Sequence, residues 1–244
     1  MKKENKKNVE KENKEVIKNP KKSTNKIQNK QLIWIIVLMA SVLLIIILVP
    51  FIKGNFIDKF IYAKLDFQKT KLGDLKFYST RIPVFGNDKL IGFYSMNFRK
   101  DPRESDKIEI DVDKDLITFK KNSTVYITID PHMNFCEDNT IALINLAGFL
   151  RDFGNKEVKS AVSDKKYAED NNLTYATCEN NPKDSVIEIA SGEKNIIKKT
   201  GEGCYLMVYK DCDTLDVTEK FMLMILENYM KTVDRDDSFW DIFK

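Results

Sequence analysis

The stretch VYITIDPHMNFCEDNTIALINLAGFLRDFGNKEVKSAV, residues 125–162, decides the fold. It opens on Val125–Ile129, a near-continuous apolar run. Strands buried on both faces lose the polar alternation of half-buried ones, so this run reads as a central strand. TIALINLAGFLRDF follows, apolar on most sides, and reads as a helix packed between a sheet and other structure. Asp138 or Asn139 can cap it and Gly154 can end it. Residues 157–162 return as a strand. A right-handed crossover through the helix makes the two strands parallel.

Working outward, residues 75–84 and 90–98 are rich in aromatic and β-branched residues and read as strands. Residues 56–67 read as a juxtamembrane helix or an extended lead-in. Residues 107–111 and 116–119 flank the polar turn Val112-Asp113-Lys114-Asp115 and read as a short hairpin. On the C-terminal side, residues 175–178, 186–190, 195–199 and Cys204–Tyr209 read as further strands, with Ser191 to Lys194 as a hairpin tip. Thr214–Val233 reads as a second helix, capped by Asp213 or Thr214. This order predicts an α+β or α/β fold: a mixed-sheet domain with two main helices over residues 67–233. Residues 67–120 could form a β-rich subdomain.

Upstream lies LIWIIVLMASVLLIIILVPFI, residues 32–52, with no charge over its length. At 1.5 Å per residue it reaches about 31 Å, the thickness of a bilayer core. Residues 31–52 are therefore expected to be a transmembrane helix and 53–66 a juxtamembrane linker. The apolar core is too long for a cleaved signal peptide, and Lys53-Gly54-Asn55 offers no small-x-small site. Residues 1–30 hold eleven Lys and four Glu, a charge of +7 within a chain of +3, so the remainder carries −4. The tail is too polar to bury a core and reads as disordered. Its lysine excess places it in the cytoplasm and the C-terminal domain outside, in a single-pass cell-membrane protein. A mildly acidic domain argues against nucleic acid as its ligand. The partners expected are the lipid bilayer, through residues 32–52, and other envelope proteins.

Cys136, Cys178, Cys204 and Cys212 all fall on the outer side, where an even count predicts two disulfides. Three pairings are possible, and the strand order favours one. Cys136 and Cys212 each follow a strand and precede a helix. If those strands are parallel, both thiols lie at one sheet edge. Cys178 ends a strand and Cys204 begins one, so antiparallel neighbours would join them. Separations of 42, 26 and 8 residues, with no C-x-x-C, are poor for zinc.

Catalytic constellations are sparse. The single histidine, His132, stands four residues before Cys136, but a bridged cysteine is no nucleophile. Asp111, Asp113 and Asp115 alternate like the start of a calcium loop, yet Leu116 replaces the glycine and Asn122 the closing glutamate. No phosphate-binding, nucleophile-elbow or zincin motif occurs, and no metal or cofactor is implied. Glycoside hydrolysis needs only two carboxylates, and no pair among the many acids is singled out. Arg99 and Arg103 could clamp an anion or a partner; they could equally pair with Asp101 and Glu104 to fix a turn. The aromatic end Phe239, Trp240, Ile242 and Phe243, set among aspartates, suits docking in a protein groove. Asn122 and Asn172 head glycosylation sequons in loops.

Three segments carry a resemblance: FYSMNFRKDPR (93–103), CEDNTIALINLAGFL (136–150) and residues 172–222 with their three cysteines. They resemble an archaeal family of membrane-anchored extracytoplasmic domains with four cysteines and no known activity. The resemblance implies an archaeal cell-surface protein with two bridges. The functional expectation is a non-enzymatic binding or scaffolding domain at the envelope. The rivals are a carboxylate hydrolase and a bitopic subunit of a division or secretion complex. A cleft lined by two acids of raised pKa would favour the hydrolase.

Overall fold

A computed structural model of the chain describes residues 24–52, 58–86, 89–112, 117–134 and 136–233. The chain divides into two compact units, Met1–Ile57 and Asp58–Lys244. In the first, helix α1 (Thr24–Ile52) contains Lys30–Ile52, 23 residues within which an 18-residue window has a mean hydropathy of 3.4 and is not buried. By length and composition this segment can cross a membrane. The helix begins inside the segment that composition assigns to the disordered tail. Propagating an existing helix costs far less than nucleating one, so the apolar run carries polar residues 24–30 with it. The rest of the tail lies outside the described residues, as does the docking segment Phe239, Trp240, Ile242 and Phe243.

The second unit holds two sheets and three α-helices among its described residues. Sheet A is an antiparallel meander of β1 (Lys59–Tyr62), β2 (Leu65–Leu72), β3 (Leu75–Gly86) and β4 (Lys89–Phe98), in that order. The chain from Asp58 is thus already in the sheet where a linker is expected. Alternation along these strands sends Phe67, Tyr78, Ile82, Met96 and Phe98 into the core. Beyond Thr80, β3 pairs with β4 alone, and Pro83 sits there, where no second neighbour needs its missing N–H.

The β1–β2 turn places Ala63 at φ 49° and Lys64 at φ 60°. Left-handed backbone costs an L-residue with a Cβ roughly 1–2 kcal/mol, and asparagine and glycine least. Ala63→Asn with Lys64→Gly is expected to stabilise the unit by about 1–2 kcal/mol and raise Tm by several degrees in detergent. An unchanged or lower Tm would contradict this turn geometry.

Sheet B has six strands in the order β5 (Glu109–Asp111), β9 (Ile196–Gly201), β10 (Cys204–Tyr209), β8 (Ser185–Ser191), β6 (Val125–Ile129), β7 (Val158–Val162). Strands β10, β8, β6 and β7 are parallel; β9 is antiparallel to β10 and parallel to β5. The strand–helix–strand unit is β6, α2 (Asn139–Asp152), β7. Helix α3 (Lys165–Asn171) and α4 (Thr214–Val233) complete the unit.

Three expectations need correcting. The flanks of the segment 107–119 do not pair as a hairpin, and residues 113–116, which hold most of its expected turn, lie outside the described residues: β5 pairs with β9, and the Thr118 backbone bonds the buried Tyr205 hydroxyl through both its N–H and its carbonyl. Ser191 to Lys194 is not a hairpin tip either, because β10 lies between β8 and β9. Four of the six residues of β10 are buried, so it takes the sheet's interior and pushes β9 outward. At α2, the Asp138 side chain makes no cap bond, and the left-handed residue after the helix is Asn155 (φ 48°), not Gly154.

Helices α2 and α4 fill the space between the sheets. Phe149 of α2 and Phe153 at its C-cap meet Tyr94 of sheet A with tilted rings, and α2 also packs on β7. On α4, Phe221 meets Tyr205 of sheet B, while the Tyr229 hydroxyl donates to the Pro83 carbonyl at 2.6 Å. Packing on both sides is why Phe221, Met222, Leu223, Ile225, Leu226 and Tyr229 are all buried. Each such side chain contributes about 1.5–3 kcal/mol over its exposed state. The core residues of both sheets form one cluster, so residues 67–120 have no separate core.

Candidate functional site

The carboxyl ends of parallel strands, facing helix N-termini, are where open α/β sheets bind ligands. Here that edge is stitched shut. Cys136 and Cys212 sit at disulfide distance, Cα atoms 5.5 Å apart, one before α2 and the other before α4. The parallel course of β6 and β10 brings them together, as the strand order predicts. Beside them the buried Asn139 donates to the Asn134 carbonyl at 3.0 Å and accepts from the Thr214 hydroxyl at 2.6 Å. The Tyr209 hydroxyl also donates to Asn134, and Asn195 donates to Asp213. These bonds tie the helix starts to each other and leave a joint rather than a crevice.

Cys178 and Cys204 are likewise paired, Cα atoms 5.8 Å apart, but not through antiparallel strands. Tyr175 makes an isolated parallel bridge to Val162, and the loop that follows crosses the back of sheet B. There the Cys178 N–H donates to Glu188 on β8 at 2.7 Å. Under this loop is an open cleft of about 700 Å³, lined by Glu179, Asp184, Glu188, Glu202 and Lys120 among others. His132 lies elsewhere, exposed, 3.5 Å from Asp164, the residue that caps α3. With Cys136 bridged, no thiol stands ready for it. No group of three or more His, Cys, Asp or Glu among the described residues is placed to hold a metal ion.

Arg99 and Arg103 lie against opposite faces of sheet A and form no joint clamp. Arg103 makes a two-pronged pair with Asp101, at 2.9 and 2.6 Å, and covers the inward Phe60 ring at 4.1 Å. Arg99 stands over the outward Phe77 ring at 5.5 Å. Their neighbourhood holds an acid that the composition conceals. Glu219 of α4 is 3 % exposed and accepts the backbone N–H groups of Arg99 (2.7 Å) and Lys100 (3.0 Å). Burial pushes its carboxyl up to about 7, against the pull of those two donors. Asp216, one turn earlier, is also raised by burial, although Lys100 lies 3.1 Å away. Neither acid lines the cleft on sheet B or the one on sheet A. Each oxygen of Glu219 is taken up in holding the β4 end to α4, which is a structural task. The signal for it in the sequence is a charge on the same helical stripe as Met222, Leu223 and Leu226.

A nearby triad does similar work. The buried Lys220 donates to Asp106 at 3.0 Å and to Tyr62, whose hydroxyl also bonds Asp106. Burial would raise the Asp106 carboxyl, but these two donors outweigh it and hold it low.

The open surface is the outer face of sheet A. It carries Ile61 (75 % exposed) and Phe93 (62 %) around Arg81 and a ladder in which Ser79 bonds Asn97 at 2.6 Å and Thr70 at 3.1 Å. A shallow cleft of about 970 Å³ runs across it. Strand alternation could have revealed this face, since residues 91, 93 and 61 are apolar on the side away from Tyr94 and Met96. Asn122 and Asn172 are both exposed and both left-handed, at φ 50° and 53°. No family model, no curated protein and no solved structure matches the chain.

Proposed function

We propose that the chain is a single-pass membrane protein, tail inside, whose folded domain faces the cell exterior and binds an envelope partner without catalysing a reaction. The observation that carries this reading is the succession of an unburied apolar helix, free of charge over residues 32–52, by a domain with two cysteine pairs at disulfide distance. The binding surface in this reading is the outer face of sheet A, where large apolar side chains flank a hydrogen-bonded polar ladder. The archaeal cell-surface origin belongs to the same proposal. Carboxylate hydrolysis is the weaker reading, because both acids of raised pKa are engaged in holding α4.

The full-length protein is expected to stay in the pellet after carbonate washing. Its four cysteines should react with maleimide only after reduction, and external protease should remove the domain from spheroplasts. Release into the wash, or thiols that react without reductant, would defeat the assignment of compartment. Phe93→Glu, at an exposed position, should shift stability by no more than about 0.5 kcal/mol. It should nevertheless abolish the principal crosslinked product in native membranes. An unchanged crosslinking pattern would remove sheet A as the binding face.

A further inference from the structure

The β2–β3 hairpin ends in an apolar pair, Leu72 (73 % exposed) opposite Leu75 (44 %), joined through Gly73 at φ +61°. Two-residue hairpin turns with glycine first need that left-handed position. One register step back, Lys71 stands directly opposite Lys76, both exposed. Like charges facing each other across a ladder weaken it, so this pair lowers stability unless an anion lies between or beneath the two ammonium groups. Leu72, Leu75 and Phe77 share the outer face of the sheet, with Arg99 over the Phe77 ring; Lys71 and Lys76 share the inner face. The tip is therefore amphipathic across its thickness. Asp74 occupies the turn and Asp101 faces Lys69, which leaves Lys71, Lys76 and Arg99 as the outlying cations of this end.

The register of β1 shows by which end of sheet A the chain enters. Asp58 accepts a backbone bond from Lys69, three residues before Leu72, so the two lie about 10 Å apart along the strand. Strand β1 then runs away from the tip, pairing Lys59 with Gln68 and Tyr62 with Leu65. The chain before Asp58 thus leaves sheet A at the tip end. Only residues 53–57 separate Asp58 from the last residue of the apolar helix, a reach of about 20 Å at full extension.

We infer that the β2–β3 tip docks on the bilayer itself, with Leu72 and Leu75 among the acyl chains and Lys71, Lys76 and Arg99 on the phosphates of anionic lipids. This rests on the proposed anchoring. It adds a second, electrostatic attachment that fixes the domain's orientation and keeps the Ile91 end of the sheet pointing away from the lipid. Lipid phosphate suits the site better than a protein groove because the leucines occupy a protruding turn with lysines behind it, an arrangement that inserts into a soft surface.

The test uses the full chain reconstituted into phosphatidylcholine vesicles with and without phosphatidylglycerol. Leu75→Trp and Leu72→Trp report through quenching by brominated lipid, against the parent's own tryptophans. Ile91→Trp, about 30 Å along the sheet, is the control. Quenching is expected at 75 and 72, absent at 91, and stronger with phosphatidylglycerol. Lys71→Glu with Lys76→Glu should cut it by about half or more. No quenching at the tip, equal quenching at 91, or indifference to phosphatidylglycerol would overturn the inference. So would a tip that is unquenched in vesicles but crosslinks to a protein in native membranes, since a polypeptide would then be the occupant. Co-flotation of the chain with the vesicles is scored separately. Failure to float defeats the anchoring, whereas flotation with an unquenched tip defeats this inference alone.

Discussion

Replacing Cys136 and Cys212 together by serine is expected to destabilise the folded unit by about 4.5 kcal/mol, and replacing Cys178 and Cys204 by about 3.5 kcal/mol. The difference follows from the loops that the bridges close, 76 residues against 26. A longer closed loop removes more freedom from the unfolded chain, although the dependence is only logarithmic. Geometry reinforces the ranking. The first bridge clamps the starts of α2 and α4 beside the Asn139–Thr214 bond. The second fastens a loop to the back of sheet B, where the fold has less to lose. Urea unfolding of the full-length protein in detergent, followed by circular dichroism, measures both losses. A reversed order would mean that the loop after Tyr175, not the helix joint, is the weaker seam of the native state.

The second large effect is a dependence on pH. Glu219 titrates near 7 in the folded state and near 4.5 when unfolded. Because folding raises this pKa, folding favours the protonated acid. Its stabilising share is complete below about pH 4.5, declines as pH rises, and is gone above about 7. That window corresponds to about 3 kcal/mol. Asp216, shifted upward as well, acts in the same direction, whereas Asp101 and Asp106 are shifted downward and act below about pH 4. Glu219→Gln keeps the size and one acceptor and has no proton to exchange. Its unfolding free energy should therefore be flatter than that of the parent between pH 4.5 and 7, whatever constant cost the amide adds. Parallel curves for the two proteins would show that folding does not raise the pKa of Glu219.

Much of this architecture could be read locally. The meander of sheet A announces itself by alternation, and β6, α2 and β7 by one long apolar strand followed by a helix-period run. What escaped had no local signal, or a signal of the wrong kind. β5 pairs with β9, more than eighty residues later, and no periodicity encodes that choice. Ser191 to Lys194 has turn chemistry, yet the claim of β10 on the sheet interior overrides it. Helix α3 has almost no apolar stripe; its evidence was the Asp164 cap and the left-handed Asn172 that stops it, both easily taken for loop residues. The pairing of Cys136 with Cys212 followed from parallel strands. The pairing of Cys178 with Cys204 came from a loop crossing that strand logic does not describe. Glu219 was hidden because a helix rich in methionine and leucine draws attention to its apolar side, while its most deeply buried acid fixes β4 in place.

The helix that fills the gap between the sheets is also the last described element to be synthesised. Until residues 214–233 emerge, a nascent chain carries the inward faces of both sheets, including Phe98, Ile82, Tyr205 and Met207, without one of the two helices that fill the gap between them. Ribosomes stalling upstream of Thr214 would therefore release sticky, degradable fragments rather than smaller working versions, and the growing polypeptide needs a holdase until its final turns arrive.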